Sequence, residues 1–352
     1  MAPAGGEKRK LLYLDRTVQP VSLHVAVTHY PEGAGHATRM MAVARGLRRR
    51  GAEVALAGGG PGRRLYGPNG FDAYEPPQVD YIGDYQGADN PLAGLVRVLT
   101  GSLPDSADRV RGLVEWLHDV DPDAVVTDDM FTVAAAAAAD VPLYVLSHNA
   151  AALYRDPLIR ASTAGINAVQ RLAAERFFYP AVWPPGDGDP PGVSRVPPVA
   201  LPAPPDAPER GPDDPGVVLV PSTYSTEFDA VAAGLRAAGR EVTLVGDHDW
   251  GPVPSLLPVL RRAEAVVCSG YSTVMEAAVA GTPCVVLPAT NEQDGAARRL
   301  APAEGFRVAR RPAAVESALS ALSVAPEHAN GIAAVAERIL DDIAAARPRA
   351  TA

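Results

Sequence analysis

One stretch of the sequence, residues 265–288, holds a complete strand-turn-helix-strand pattern. The short apolar run Ala265–Cys268 predicts a buried strand, and the polar turn 269–273 follows it. Residues 274–280 have helical spacing, Gly281 ends that helix, and residues 284–287 form a second apolar run. Because short apolar strands that alternate with helices are typical of β/α units, this stretch predicts a parallel sheet.

The turn at residues 269–273 predicts an anion site. Hydroxyls of Ser272 and Thr273 meet free backbone N–H groups there at a helix N-terminus, which favours a phosphate. Glu276 follows on the first helical turn, where a carboxylate can accept hydrogen bonds from a ribose diol. The structural alternative is that Ser272 and Thr273 cap the helix and Glu276 completes a capping box.

The length of 352 residues predicts about two domains. The net charge of −9 argues against a general nucleic-acid binder, which would carry a basic face. Cys268 and Cys284 lie in apolar runs and are predicted to be buried free thiols, and His24, His29 and His36 show no metal-ligand spacing. No apolar run reaches the ~18–20 residues of a membrane span, and no signal peptide is recognisable, so we expect a cytoplasmic protein.

Residues 1–183 show a second series of strands and helices. Apolar runs predict strands at 23–28, 53–57, 123–127 and 142–146, with a weaker one at 78–82. Helical patterns occur at 37–50, 91–100, 106–120, 131–139 and 160–178. This order predicts a doubly wound α/β domain, in which ligands bind at the carboxyl ends of the strands.

Polar residues follow the predicted strands at those ends: His36, Asp128, Asp129, His148 and Asn149. Their shared position predicts a site, although His36 and Asp128 could also serve only as helix caps. Gly33 and Gly35 precede His36, but a dinucleotide site requires GxGxxG and an acidic residue after the second strand. The second strand ends in three glycines instead, so an NAD site is not expected.

Residues 184–216 contain four Pro-Pro pairs and predict a linker without regular structure. Residues 217–330 predict a second α/β domain, with strands at 217–220 and 241–245 and helices at 227–238, 256–262 and 313–322. A final helix at 331–346, within residues 331–352, has one apolar face that could pack back on the first domain. Before the linker, Phe177, Phe178, Tyr179 and Trp183 predict either core packing or an exposed patch that contacts an acceptor or a membrane.

Residues 266–300, VVCSGYSTVMEAAVAGTPCVVLPATNEQDGAARRL, resemble the nucleotide-sugar motif of GT-B glycosyltransferases. The likeness is greatest to the bacterial lipid-linked N-acetylglucosaminyltransferases of peptidoglycan synthesis and to the UDP-glycosyltransferases, which share an SGxxTxxE pattern. Residues 24–54 resemble the family's first strand, glycine-rich loop and helix, and residues 141–153 resemble a segment that lines its cleft. The resemblance implies two doubly wound Rossmann-like domains that face a cleft.

The resemblance also implies where a UDP-sugar donor binds. Its diphosphate lies over Ser269, Gly270, Ser272 and Thr273 without a metal ion or cofactor. Glu276 holds the ribose, and Glu292 and Gln293 hold the sugar hydroxyls. Ser222 and Thr223, in the loop after the first strand of the second domain, stand where relatives usually have glycine and serine, so their phosphate contact departs from the family's pattern.

On the acceptor side, His36 matches the general base of the plant relatives, and Asp128 or Asp129 is its orienting carboxylate. A single displacement implies inversion of the anomeric centre. The acceptor would bind beside Gly33, Gly35, His148 and Asn149. The sequence leaves the acceptor open between a polyprenyl-linked sugar, a secondary metabolite and a polysaccharide end. The aromatic cluster and the Ala-rich helices favour an apolar acceptor, and a lipid-linked one would bring peripheral contact at the inner membrane face.

Two rival functions remain. A UDP-N-acetylglucosamine 2-epimerase has the same fold, but it would need an arginine in the loop at residues 288–291, where none occurs. A non-catalytic sugar-nucleotide-binding protein would not need His36 beside Asp128 and Asp129.

Overall fold

Two parallel β-sheets with helices on their faces form the computed structural model, which describes residues 22–79, 103–205, 215–246 and 253–347. The first sheet has the order β3-β2-β1-β4-β5-β6-β7. Its strands are β1 (His24–Thr28), β2 (Glu53–Ala57), β3 (Ala73–Tyr74), β4 (Ala124–Thr127), β5 (Leu143–Leu146), β6 (Arg176–Pro180) and β7 (Ser194–Val196). The second sheet has the order β12-β11-β10-β8-β9. Its strands are β8 (Val217–Val220), β9 (Val242–Leu244), β10 (Ala265–Cys268), β11 (Cys284–Val286) and β12 (Phe306–Val308).

Helices connect most of these strands, as is usual for the crossovers of a parallel sheet. In the described part of the chain they are α1 (Ala34–Arg48), α2 (Leu103–Val120), α3 (Met130–Ala138), α4 (Pro157–Ala173), α5 (Phe228–Ala237), α6 (Leu257–Arg262), α7 (Tyr271–Ala280), α8 (Asn291–Leu300), α9 (Val315–Ser320) and α10 (Ile332–Ala346). The predicted α/β class is confirmed, and the strands predicted at residues 53–57, 217–220 and 265–268 have the observed bounds.

Each sheet has a point at which the strand order reverses. In the first sheet β1 pairs with both β2 and β4, and in the second β8 pairs with both β9 and β10. In each sheet, the loops that leave the two adjacent central strands (β1 and β4, or β8 and β10) therefore run in opposite directions. They open a crevice at the carboxyl edge of the sheet, which is where ligands bind in doubly wound folds. The two crevices belong to the two halves of the chain.

The C-terminal helix α10 packs on α1 of the first sheet. Its buried face contributes Ile332, Val335 and Ile339 to the same apolar cluster as Met40 and Leu47 of α1. A Cβ placed on Gly46 of α1 would lie 2.4 Å from Ile332 Cγ2, so a glycine is needed for this close approach. The end of the chain thus supports the helix that carries His36.

Two predictions of local structure are wrong. Residues 160–178 do not form one helix: α4 ends at Ala173, and β6 begins at Arg176 and pairs with β5. Residues 184–216 are not devoid of regular structure, because Ser194–Val196 pairs with β6 as the last strand of the first sheet. The predicted helix 91–100 lies outside the described residues, as does most of the predicted strand 78–82.

The aromatic cluster is core, and the exposed-patch alternative is wrong. Phe177, Phe178, Tyr179 and Trp183 are all 3% exposed or less. β6 carries the first three in the interior of the sheet, between β5 and β7. Among the large apolar side chains that the structure describes, the most exposed lie on α4 instead, with Leu158 at 78% and Leu172 at 81%. None of the described helices is long and apolar enough to cross a membrane.

Candidate functional site

A cavity of about 1480 Å³ lies where the carboxyl ends of the two sheets face each other. Most of the predicted site residues line it: Gly33, Gly35, His36, Asp128, His148, Asn149, Ser222, Thr223, Gly270, Ser272, Thr273, Glu276, Glu292 and Gln293. Asp129 and Ser269 lie behind its wall. Residues from both halves of the sequence are therefore brought together by the facing crevices of the two sheets.

His36 and Asp128 form a hydrogen-bonded pair at the crevice of the first sheet. His36 Nδ1 lies 2.8 Å from Asp128 Oδ2, and the Tyr30 N–H donates to Oδ1 at 3.0 Å. Burial would raise the pKa of Asp128, but the charge of Arg39 and the hydrogen bonds from His36 and Tyr30 outweigh it and hold that pKa well below its usual range. Because an ionised carboxylate only accepts hydrogen bonds, Nδ1 carries the proton and Nε2 keeps the lone pair of a base.

Asp129 does not contact His36. Its carboxylate caps α3 by accepting from the Phe131 N–H at 2.9 Å and pairs with Arg109 at 2.7 Å, and both charged side chains are fully buried. Burial raises the pKa of Asp129. Of the two neighbouring aspartates, the structure thus gives the role of histidine partner to Asp128 and a structural role to Asp129.

Arg39 is a site residue that the sequence analysis missed. It lies one helical turn after His36 on α1, is 2% exposed and borders the cavity. Its guanidinium donates to Asp128 Oδ2 at 2.6 Å and to His148 Nδ1 at 3.2 Å. The signal was present in the sequence, since side chains three positions apart on a helix lie on one face.

The N-terminus of α7 faces the cavity without a side-chain cap. The helix begins at Tyr271 with Gly270 in the cap position, and Ser272 donates to the carbonyl of Gly35 at 3.1 Å instead of capping. The capping-box alternative is therefore wrong, and Glu276 lies on the second helical turn, not the first. The N–H groups of the first turn have no intrahelical acceptors, which leaves them available to an anion.

The loops behind this helix are held by a network of hydroxyls. Ser269 accepts from the Ser222 N–H at 3.0 Å and lies 2.6 Å from the Ser225 hydroxyl. Gln293 donates to the Ser222 hydroxyl at 3.4 Å and accepts from the Ala289 N–H at 2.8 Å. Ser269 is 1% exposed, so it braces the cavity wall from behind.

Glu276 is a buried carboxyl group without a charge partner among the described residues. Its side chain is 4% exposed, and burial raises its pKa to about 8. No charged neighbour offsets that effect within the part of the chain that the structure describes. Because the residue borders the cavity, a buried acid of this kind marks a place where a bound molecule can supply hydrogen bonds.

His148 and Glu292 join the two halves of the site. Glu292 Oε1 lies 2.7 Å from His148 Nε2, and the imidazole stacks on Tyr271 with ring centroids 4.6 Å apart. Burial lowers the pKa of His148. Since Arg39 donates to Nδ1, the neutral imidazole donates from Nε2 to Glu292. Burial would raise the pKa of Glu292, but the hydrogen bond from His148 and the nearby charge of Arg39 outweigh it and lower that pKa.

Helices α1 and α7 touch at their N-termini. A Cβ on Gly35 would lie 2.6 Å from Ser272 Oγ, and Gly33 has a φ of +74° that favours glycine. Both glycines thus have a steric reason to stand in this loop. The backbone of Asn149 is held on both sides. Its backbone N–H donates to the Ser147 hydroxyl at 3.2 Å, and its backbone carbonyl accepts from the Asn167 side chain at 3.0 Å.

Among the described residues, no group of three or more His, Cys, Asp or Glu side chains is arranged to hold a metal ion. The two cysteines are buried with free thiols, as predicted, and their sulfur atoms lie 3.6 Å apart.

Comparison with solved structures identifies the fold. The chain is similar to the spinosyn forosaminyltransferase SpnP, with 17% identity, coverage of 93% of this chain and 96% of the other, and a TM-score of 0.59. The glycosyltransferase SsfS6 from Streptomyces sp. SF2575 has 16% identity, coverage of 92% and 96%, and a TM-score of 0.56. The spinosyn rhamnosyltransferase SpnG has 18% identity, coverage of 92% and 96%, and a TM-score of 0.57.

These likenesses confirm the predicted GT-B fold over nearly the whole chain. SsfS6 and SpnG have both been solved with thymidine diphosphate, and SpnG also with spinosyn aglycone. No protein-family model matches the sequence, and no curated protein matches it significantly. The likeness to the lipid-linked N-acetylglucosaminyltransferases stays a prediction.

Proposed function

We propose that this protein is a glycosyltransferase that moves a sugar from a nucleoside-diphosphate donor to an acceptor hydroxyl. One observation carries the proposal: the His36–Asp128 pair and the uncapped N-terminus of α7 border the same cavity. A base and an anion site on facing sheets are the two parts that such a transfer needs. The fold shared with known glycosyltransferases supports the same activity.

The chemistry is a single displacement. The acceptor oxygen attacks the anomeric carbon while His36 Nε2 takes the hydroxyl proton, and Asp128 stabilises the imidazolium through Nδ1. The bond from the anomeric carbon to the phosphate oxygen breaks, and its electron pair leaves with the nucleoside diphosphate. Because the acceptor enters opposite the leaving group, the anomeric configuration inverts.

The donor binds the second half of the chain. We place the diphosphate at the first turn of α7, where the helix N–H groups carry its charge without a metal ion. Glu276, kept protonated near neutral pH by burial, hydrogen-bonds the pentose, and Glu292 contacts the sugar. The nucleotide is UDP or TDP; the thymidine diphosphate complexes of SsfS6 and SpnG favour TDP.

The acceptor is a largely apolar molecule with a reactive hydroxyl. In the first half of the chain, the cavity wall includes Met130, Ile159 and Ile166, and Met130 is 42% exposed. Apolar side chains near a polar base suit an aglycone that buries carbon surface and presents one hydroxyl. The complex of SpnG with spinosyn aglycone supports an acceptor of this class.

Thermal unfolding with a panel of UDP- and TDP-sugars tests the proposal. A ligand at 100 times its Kd stabilises the native state by about 2.7 kcal/mol, so a true donor raises the midpoint measurably. Incubation of the stabilising donor with apolar alcohols then reports transfer by mass spectrometry. If none of the nucleotide sugars stabilises the protein, and free UDP and free TDP do not stabilise it either, the proposal fails.

The variant His36→Ala separates binding from chemistry. It should keep the donor-induced stabilisation, since His36 lies on the acceptor side, and lower turnover by roughly 10²–10⁴. Asp129→Asn is the matched control for an aspartate next to the site, because Asp129 does not reach His36. Equal turnover of His36→Ala and the wild-type protein would remove the base from the mechanism.

A further inference from the structure

Asp128 and Asp129 each form an ion pair with a buried arginine, Arg39 and Arg109 respectively. Of these two arginines, only Arg39 lines the cavity. Arg109 pairs with Asp129 and donates to the Pro77 carbonyl at 3.0 Å, so its guanidinium is used within the first domain. Arg39 pairs with Asp128 and borders the cavity. The two pairs have the same chemistry and different surroundings, which suggests different roles.

The guanidinium of Arg39 is incompletely bonded. Its bond to Asp128 is short, at 2.6 Å, but its approach to the Ser272 hydroxyl is long, at 3.4 Å. Its Nε–H is buried and has no hydrogen-bond partner among the described residues. Nη1 also contacts His148 at 3.2 Å, and Nη2 lies 3.1 Å from His36 Nδ1. The long contact with Ser272 is therefore the one that a stronger acceptor could replace.

Ser272 shows where such an acceptor would lie. It is the second residue of α7, so the Arg39 contact reaches the helix turn whose free N–H groups face the cavity. Arg39 comes to this turn from the first sheet, opposite the loops of the second. An anion at the turn would meet helix N–H groups on one side and a buried cation on the other.

We propose that Arg39 is a further catalytic residue, which binds the diphosphate and stabilises the departing nucleoside diphosphate. This inference rests on the proposed function. As the bond to the anomeric carbon breaks, the electron pair moves to the bridging phosphate oxygen, and the guanidinium donates hydrogen bonds to the charge that develops there. The acceptor proton goes to His36, so one arginine links the leaving group to Asp128, the partner of the base.

Affinities of Arg39 variants for diphosphate and nucleoside test this role. In Arg39→Lys and Arg39→Met, calorimetry should show roughly tenfold or greater weakening of the binding of free UDP or TDP. Binding of uridine or thymidine, which lack the phosphates, should stay close to that of wild type. The value of kcat should fall by roughly 10²–10³, as for other removed transition-state donors. Arg39→Lys should be the milder variant, because lysine keeps the charge but loses the fork.

Arg109→Met is the matched control. Like Arg39→Met it leaves a buried aspartate without its cation and lowers stability, but its folded form should bind the diphosphate as wild type does. If Arg39→Met does not fold, Arg39→Met with Asp128→Asn removes both charges and keeps the binding measurement available.

The outcomes separate the two proposals. A wild-type protein that binds neither diphosphate overturns the proposed function. A wild-type protein that binds them while both Arg39 variants bind equally well overturns the role of Arg39 alone. Equal losses for nucleoside and diphosphate would show a general loosening of the site, and they would also overturn it.

Discussion

The cavity holds His36 paired with Asp128, while the neighbouring Asp129 turns away from it and pairs with Arg109. The sequence indicated His36 and Asp128 because both follow predicted strands, and the carboxyl ends of parallel strands lie at the same edge of a sheet. In the structure both residues line the cavity. The choice between Asp128 and Asp129 could not be made. It depends on the rotation of the chain after β4, which turns one carboxylate to the cavity and the other to Arg109.

Arg39 escaped prediction for a related reason. In the sequence it stands among the apolar residues of α1 and resembles a surface arginine on a helix. Its spacing from His36 places it on the same face of α1. That its guanidinium is buried and meets Asp128, His148 and Ser272 follows from the packing of the elements around the helix.

The buried acid Glu276 leads to a pH prediction. Its pKa rises from 4.5 to about 8 on folding, so between these values the native state holds a proton that the unfolded chain has lost. The free energy of unfolding therefore falls as pH rises through this window, by at most about 5 kcal/mol for a shift of this size. Glu276→Gln, which has no proton to lose, should remove this fall.

Urea unfolding of both proteins at pH 5 and pH 9 measures the effect. The stability of Glu276→Gln relative to wild type should increase by a few kcal/mol between the two pH values. Glu337→Gln, at an exposed position on α10, is the control and should show no such change. If the stability difference between wild type and Glu276→Gln is the same at both pH values, Glu276 titrates normally and the prediction is wrong.

At the scale of elements, strands with a strong apolar run were predicted and short strands in unusual contexts were not. The run at residues 217–220 is continuous, as expected for a strand buried on both faces. By contrast, β7 lies among prolines and is defined by its pairing with β6, which no local pattern encodes. The aromatic residues of β6 extended the helical pattern of α4, and the pairing with β5 overrode it.

The contact between α1 and α7 gives a prediction at this scale. Gly35→Ala would place a methyl group 2.6 Å from Ser272 Oγ. Either the serine rotates and loses its hydrogen bond to the Gly35 carbonyl, or the two helices move apart. This contact sets the distance between His36 and the first turn of α7, where we propose that the diphosphate binds. Turnover should therefore fall by on the order of tenfold or more. Stability should change less than turnover does.

Gly165→Ala on α4 is the matched control, since nothing lies within 4 Å of the added methyl group. Alanine is favoured over glycine in a helix by about 1 kcal/mol, so this variant should be slightly stabilised and fully active. Steady-state kinetics and thermal unfolding of the two variants make the comparison. Full activity in Gly35→Ala would show that the two helices need no fixed distance.

The succession of strands and helices along the sequence was enough to predict two α/β units. Which residues belong to each unit is a proposal. We propose a first unit that includes β7 and α10 in addition to residues 22–79 and 103–183, since β7 extends the first sheet and α10 packs on α1. The chain then crosses between the units twice. The second crossing could be anticipated from the apolar face of the last helix.

The variant Ile339→Ala tests this division. Ile339 is fully buried in the cluster shared by α10 and α1, so its truncation should cost about 2–5 kcal/mol of stability. Arg338→Ala, at the neighbouring exposed position, should change stability by no more than about 0.5 kcal/mol. Hydrogen exchange followed by mass spectrometry then shows where the loss falls. Amides of α1 and β1 should lose protection while those of α7 keep it, because α10 supports the first unit. Equal losses of protection in α1 and α7 would mean that the two sheets unfold together as one unit.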